Sequence, residues 1–533
     1  MSIQTREAQE RLVLHTDVLI IGGGMSGAWA AIAARQAGAE VILVDKGYCG
    51  TSGVTATAGP THWWVAPEQR EAAVDARAVP TLGLADKSWM HRILAETWQQ
   101  LPTLAPWYDF ARNEQGQPIY AALRGPEYMR ALRQRMLASG VRILDHSPAL
   151  ELLVRADGSV GGARGWQIRQ QREWLIRSAG VILATGGCAF KSHLLGSGNN
   201  TGDGLLMAAE VDADLSGMEF SNAYCVAQGQ TTMTRAMIYA FATYYDASGR
   251  EIAPVREADP SVRTFDLATA LLEGPVYCSL HRVPEDIRRQ LAEISPNVPL
   301  LFNRARLDPY QQRFEVSLRA EGTIRGTGGL RIINEFCQTL VAGLYAIGDT
   351  ATRELVAGAN TGGGAVNAAW ALSSGVWAGQ ALAQQALSQG RRLHETADGA
   401  GQVGLGSQTA AKNSGLSARL VAQVRDEMLP FDKNFFRTEV GLNQSLDRLE
   451  TAWQEARQQL TGQGAEQVKA REAAALIASA RWCYRSALAR PESRGLHYRQ
   501  DIPDSSEAYQ YRLNTGGLDQ LWVRPEPAAG VPA

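Results

Sequence analysis

The chain has 533 residues, of which 45% are hydrophobic and 20% charged, and its formal charge is −2. That is enough apolar sequence for a large core shared among roughly two to four domains. Near-neutrality and the lack of a long basic run exclude nucleic acid or an anionic membrane as the main partner, because both need concentrated Lys and Arg.

The first predicted elements lie in "DVLIIGGGMSGAWAAIAARQAGAEVILVDK", residues 17–46. Val18 to Ile21 are a continuous apolar run suited to a parallel strand covered on both faces. Gly22, Gly24 and Gly27 follow in G-x-G-x-x-G spacing, with Met25 and Ser26 between the last two as further cofactor-binding candidates. Gly22 allows the tight turn, Gly24 lets a pyrophosphate approach the backbone, and Gly27 lets the helix pack on the strand. A helix over Ala28 to Gln36 ends at Gly38. "EVILVDK" is a second strand that places Asp45, followed by Lys46, where a carboxylate can accept hydrogen bonds from a ribose. The alternative is a glycine turn in an α/β unit that holds no nucleotide.

Downstream, "TSGVTATAGP" supplies Ser52, Gly53, Thr55 and Gly59, and runs into "THWW" (61–64). A turn-rich meander with a hairpin signal at Asp157-Gly158 precedes "GVILATGG", a buried strand ending in Ala184, Thr185 and Gly186. "NTGDG" opens a helix at Asp203. "GLYAIGDTA" gives a strand running into Gly348 and Asp349, where the acid can bond a ribityl hydroxyl, and "GGGAV" adds Gly364, Ala365 and Val366. Several glycine-rich contacts in this order point to FAD rather than NAD.

These elements, with "GPEYMRALRQRM" (Gly125 to Met136) and "ESRGLHYRQDIP" (Glu492 to Pro503), resemble the flavoprotein subunits of the fumarate reductase and succinate dehydrogenase superfamily. That superfamily also includes L-aspartate oxidase and adenylylsulfate reductase. "FFRTEVGLNQSLDRLETAW" resembles its C-terminal helical domain, and there Leu442, Leu446, Leu449 and Trp453 form one apolar face that reads as core. The resemblance implies an α/β protein. A Rossmann-like FAD-binding domain takes residues 1–235 plus 340–385, and an α+β capping domain for the substrate is inserted at 236–339. A linker at 386–412, a C-terminal helical domain at 413–523 and a disordered tail at 524–533 complete the chain.

The departures from the family pattern carry expectations of their own. Gly53 stands where many relatives attach flavin through a histidine, so the FAD is expected to be noncovalent. Tyr224 and Ile324 replace two histidines, Thr361 replaces an arginine, and Arg235 and Ile238 replace the proton-relay acid and base. A buried carboxylate without its cation costs about 3–5 kcal/mol, so a C4 dicarboxylate is not the expected substrate. The loop "TAGPTHWWVAPE" is expected over the isoalloxazine ring, where Trp63 could stack a substrate and His62 move a proton. Arg263 and Arg353 are the candidates for holding a carboxylate, with Arg353 ahead of Arg325. His193 is expected to bond a loop carbonyl. Glu492, Arg494, His497 and Arg499 are expected to form interdomain ion pairs without a catalytic role.

The expected function is an FAD-dependent dehydrogenase that passes hydride from a small organic substrate to flavin N5, with electrons leaving to an external acceptor. Cys49, Cys188, Cys225, Cys278, Cys337 and Cys483 form no C-x-x-C pair, so no metal, iron–sulfur or disulfide site is expected in this chain. The acceptor would then be a separate protein, a quinone or oxygen. "MIYAFATYYDASGREI" (237–252) resembles the adenylylsulfate reductase branch, which implies a small ferredoxin-like iron–sulfur partner protein. The alternative is a flavin-loaded electron-transfer or assembly component with no substrate chemistry of its own. No run of roughly 18 apolar residues occurs and residues 1–16 lack a signal-peptide core, so a cytoplasmic protein without a membrane span is expected.

Overall fold

The run Val18–Ile21 forms the buried half of β1 (Leu12–Ile21), which pairs in parallel with β2 (Val41–Val44) on one side and β6 (Arg172–Leu183) on the other. In the computed structural model, which describes residues 10–234, 237–253, 260–388, 392–405 and 415–526, these strands lie at the centre of an eight-stranded sheet. β2 continues in parallel to β3 (Arg142–Leu144), and the C-terminal half of β6 takes β13 (Leu344–Ala346) alongside, also in parallel. The N-terminal half of β6 carries the expected antiparallel meander, β5 (Val160–Gln167) and then β4 (Ala149–Arg155). Asp157 fixes the turn between them by accepting the Ser159 amide at 3.0 Å and its hydroxyl at 2.6 Å.

Two small-residue helices, Met25–Gln36 and Gly363–Ser388, pack against each other, and Gly375 and Gly379 let them approach closely. A Cβ at either glycine would run into the carbonyl of Ser26 or Ala30. Because β1, β2, β6 and β13 are parallel, their C-terminal ends and the glycine-rich turns that follow collect at one edge of the sheet. Open α/β sheets bind ligands at that edge.

A second, antiparallel sheet has the order β8 (Ala223–Gln228), β11 (Phe314–Gly322), β10 (Val276–Ser279), β9 (Thr243–Tyr245). Val276, Phe302, Phe314 and Val316 give it a core separate from that of the first sheet. It begins earlier than the expected capping boundary, because β8 precedes residue 236; residues 235–236 lie outside the described residues. A third sheet joins β12 (Gly329–Leu330), β7 (Leu215–Ser216), β15 (Leu513–Gly516) and β16 (Trp522–Pro525). The helices Leu416–Met428, Glu439–Gln459 and Ala465–Ala489 pack together beside it, with Leu442, Leu446, Leu449 and Trp453 buried.

Two expectations are corrected here. The segment 386–412 is more than a linker: the long helix runs to Ser388, and β14 (Ala397–Gly399) adds an edge strand to the first sheet by pairing with β4. Residues 524–526 are ordered, since β16 extends to Pro525 and Glu526 is bonded by Arg512 through main chain (2.8 Å) and side chain (3.0 Å). Residues 527–533 lie outside the described residues.

The "ESRGLHYR" run ties the C-terminal part to the flavin half. Arg490 pairs with Glu219 at 2.8 Å and Glu492 at 2.9 Å, and Arg494 holds Glu492 at 2.7 Å. His497 lies between the Arg437 guanidinium (2.7 Å) and the Arg490 carbonyl (3.1 Å), and Arg499 pairs with Asp501. Among the described residues no helix is long and apolar enough to cross a membrane.

Candidate flavin and substrate site

A cavity of about 760 Å³ lies between the strand-end edge of the first sheet and the second sheet. Gly22, at φ +112°, brings the ends of β1 and β6 together, and a Cβ there would overlap the Ala184 carbonyl. The helix Met25–Gln36 starts without a side-chain cap, and Gly24, Met25 and Ser26 line the cavity, so its first amides are an anion seat. Asp45 is pinned at the tip of β2: it accepts the amides of Gly23 (2.6 Å) and Gly47 (2.7 Å) and the Ser52 hydroxyl (2.8 Å). These bonds leave its carboxylate further acceptor capacity toward the cavity. Lys46 is held by Thr201, Asp203 and Glu472 at 2.8, 2.7 and 2.6 Å. Burial opposes its charge, but Asp203 and Glu472 overcome this and raise its pKa.

The residues fit a dinucleotide. Asn200 and Asn367 line the cavity and each has a buried side-chain oxygen without a hydrogen-bond partner. Space is open beyond the Cα atoms of Gly24 and Gly53. Of the cofactor residues expected from sequence, Gly22, Gly24, Met25, Ser26, Asp45, Lys46, Ser52, Gly53, Thr55, Gly59, Ala184, Thr185, Gly186, Asp203, Asp349, Gly364 and Ala365 line this cavity. Gly27, Gly348 and Val366 do not. Gly27 packs on the Gly22 carbonyl, and Val366 is buried. Gly348 is bonded through its amide and carbonyl to Ser374 and Trp370. Sequence reasoning missed Ser147, Pro148, Ala149, Asn200 and Asn367. The loop "HSPA" after β3 ends at the same sheet edge as the other turns, and that position was the available signal.

The expected substrate residues are mostly elsewhere. His62 is buried and does not line the cavity; its Nε2 lies 3.4 Å from the Tyr128 hydroxyl and its amide bonds the Ala121 carbonyl. Trp63 also turns away, its amide bonding the Ala365 carbonyl at 3.0 Å and its ring packing on the hydrophobic core. Ala58, Gly59, Pro60 and Thr61 of this loop line the cavity, and the contact ends before His62. Arg353 is 1% exposed, and its two terminal nitrogens are taken by Asp349 and by the carbonyls of Thr323, Ile324 and Gly326. It braces the Gly-Asp turn instead of facing the cavity. The Arg263 side chain lies outside the described residues, as do Arg235 and the Ile238 side chain. Arg325, ranked behind Arg353 from sequence, does line the cavity. Burial opposes its charge, but Glu321, Cys225 and Asp349 overcome this and raise its pKa. Tyr224 and Ile324 line the cavity as well, while Thr361 caps a helix start by accepting the Gly363 amide at 3.2 Å. His193 is exposed at the surface.

Burial lowers the His62 pKa to about 4, against a weaker opposing hydrogen bond to Ala121. Unfolded His62 takes up a proton below about pH 6.5, whereas the folded form resists until about 4. Stability is therefore complete above that window and falls through it as pH drops, by about 3 kcal/mol. His62→Gln is expected to remove this part of the acid sensitivity, seen as a smaller loss of urea midpoint between about pH 7 and pH 4.5. An unchanged loss would contradict the assignment.

The fold and the cavity define a dinucleotide-dependent α/β oxidoreductase. Residues 17–191 match the family described as FAD dependent oxidoreductase, and residues 427–519 match the fumarate reductase flavoprotein C-term family. The chain is 26% identical to a component of the CoM/CoB fumarate reductase of Methanothermobacter marburgensis, over 93% of this chain and 96% of that protein. It is 27% identical to L-aspartate oxidase of Mycobacterium leprae, over 97% and 98%. The E. coli quinol fumarate reductase flavoprotein has the same fold, with a TM-score of 0.78 at 20% identity, covering 98% of each chain. The chain is thus similar along nearly its whole length to the flavoproteins of the fumarate reductase and succinate dehydrogenase group, and it is an FAD-dependent oxidoreductase.

Proposed function

We propose that this chain is an FAD-dependent dehydrogenase whose substrate is not a C4 dicarboxylate and whose electrons leave to an external acceptor. The observation that carries this reading is the wall facing the flavin edge. Tyr224 and Ile324 line it where the family resemblance leads one to expect histidines, and Thr361, at an expected arginine, is turned to a helix cap. The relatives named above are a fumarate reductase and an L-aspartate oxidase. A pocket that lacks those polar anchors leaves two carboxylates short of partners, at about 3–5 kcal/mol for each buried charge left unpaired.

FAD when bound supplies the hydride-accepting centre. The chain's own residues orient it. The start of helix Met25–Gln36 would seat the pyrophosphate, Asp45 would hold a ribose hydroxyl and Asp349 a ribityl hydroxyl. Gly53 and Gly364, with open space beyond their Cα atoms, would leave room for the ring system, and Thr55 lines the same space. With FAD bound, an external acceptor, such as an iron–sulfur protein, would take up the electrons.

The deciding experiment is anaerobic bleaching of the flavin by a metabolite panel, followed by turnover with an artificial dye. Bleaching by a compound other than succinate or aspartate supports the reading, and robust succinate oxidation, fumarate reduction or aspartate oxidation overturns it.

Because Gly53 offers no side-chain atom for a bond, acid precipitation is expected to leave the yellow flavin in the supernatant. Flavin fluorescence retained on the denatured chain in a gel would show a covalent link instead.

A further inference from the structure

We propose that Arg325 is the specificity-determining anchor of this site, binding the carboxylate of a substrate whose aromatic or aliphatic body lies against Tyr224, Tyr239, Tyr244, Leu267 and Leu291. The inference rests on the dehydrogenase reading for the site's purpose, but its physical basis is separate.

Arg325 follows the irregular end of β11, where pairing with β8 shifts register between Ala320 and Gly322. A shift of this kind re-aims the residues beyond it. The Arg325 side chain is 22% exposed and lines the cavity. Its Nε donates to Glu321 at 3.2 Å, and among the described residues neither terminal nitrogen has a protein acceptor. Glu321 is fully buried and also accepts the Thr234 hydroxyl, so it is a fixed post behind the guanidinium. The back of the planar group is thus held and its fork is open, the arrangement suited to receiving a carboxylate through two parallel bonds. Arg353 has no such freedom, since main-chain carbonyls and Asp349 take its two terminal nitrogens.

The surrounding wall is apolar. The Tyr224 hydroxyl donates to the Leu429 carbonyl at 3.1 Å and its ring packs edge-on against Phe435, so this cavity-lining residue is held fixed with its polar atom already satisfied. Leu267 and Leu291 are buried and line the same space. Apolar pockets with a few placed polar groups take ligands of matching character, with the polar groups setting orientation. A carboxylate on an apolar body matches one open guanidinium beside such a wall.

The test is binding to the full-length, FAD-loaded protein, read by flavin absorbance perturbation and by calorimetry. The probes are phenylacetate, cyclohexylacetate and the neutral phenylacetamide. Phenylacetate is expected to bind at least about tenfold more tightly than phenylacetamide, as for a charge-assisted pair. In Arg325→Gln the ratio is expected to fall to about one while FAD content stays at the wild-type level. If Arg325→Gln does not load FAD, Arg325→Lys decides, because an ammonium keeps the charge but loses the fork and should lower the ratio about threefold or more. A wild-type ratio near one, a ratio unchanged in the variant that loads FAD, or no binding of either carboxylate overturns the proposal. The dehydrogenase reading fails separately: a preserved acid-over-amide ratio with no metabolite able to bleach the flavin removes that reading and leaves the anchor. Bleaching by neutral compounds with no such ratio does the reverse.

Discussion

Gly22→Ala is expected to yield a chain with less than about a tenth of the wild-type FAD content. The residue sits at φ +112°, where an L side chain is strained by about 1–3 kcal/mol, and the added Cβ would overlap the Ala184 carbonyl. Neither partner can yield easily, because β1 and β6 are locked in register from Leu12–Trp174 to Ile21–Leu183. The strand ends must part, and that moves both the helix start and the Ala184–Gly186 turn away from the cavity. Asp45→Ala should act on the same cradle by a milder route. It strips a charge-assisted acceptor from the Gly23 and Gly47 amides and the Ser52 hydroxyl, at about 1.5–3 kcal/mol for such a bond. FAD content per chain, measured by absorbance after gel filtration, checks both. Wild-type content in Gly22→Ala would remove the helix start from its proposed role.

Arg490→Met should produce the largest loss of stability. Arg490 and Glu219 are fully buried and Glu492 nearly so, and the guanidinium also bonds the carbonyls of Tyr509 and Tyr511 at 2.8 Å. Removing the cation leaves the buried Glu219 carboxylate without its ion-pair partner, while Glu492 keeps Arg494, at a cost of about 3–5 kcal/mol. That is a large share of the stability of a typical domain, about 5–15 kcal/mol. Glu354 makes the loss worse: burial and the nearby Glu219 already push its pKa up, to about 8, and Arg490 is one of the charges opposing that rise. Urea unfolding of the variant should show a much lower midpoint, and adding Glu219→Gln should restore part of it. A midpoint within error of wild type would mean that this cluster does not hold the C-terminal part to the flavin half.

The turns that line the cavity were legible in the sequence because their signals are local. Gly22, Asp45, Thr185 and Asp349 each follow a short apolar strand, and parallel pairing guarantees that such turns meet at one edge. The substrate wall was not legible, because it depends on which way a side chain faces after distant strands have paired. Arg325 and Arg353 both sit in glycine-rich loops near flavin strands. Only the irregular end of β11 and the carbonyls that bond a terminal nitrogen of Arg353 separate an open arginine from a closed one. His62 and Trp63 failed similarly: their loop does pass the cavity, but its contact ends at Thr61. The short strands β14 and β16 carry almost no pattern of their own, and each exists only through partners far away in sequence, β4 and β15. The helical stripe from Leu442 to Trp453 was readable because successive turns of one helix repeat the same message.

The position of β13 also sets a timetable for making the protein. It occupies the place beside β6 in the first sheet, yet the second sheet lies between them in the chain. A ribosome releases β1, β2 and β6 early, and these must then wait with an open flank until the intervening sheet has emerged and β13 can be inserted. Proteins grow from the N-terminus at a pace that lets early segments collapse before later ones exist. The exposed edge of β6 is therefore a hazard during synthesis, and the Asp349 side of the cavity comes into being only after the second sheet has been translated. Cofactor capture is consequently a late event in this chain's biogenesis, and nascent chains stalled before Leu344 should not retain flavin.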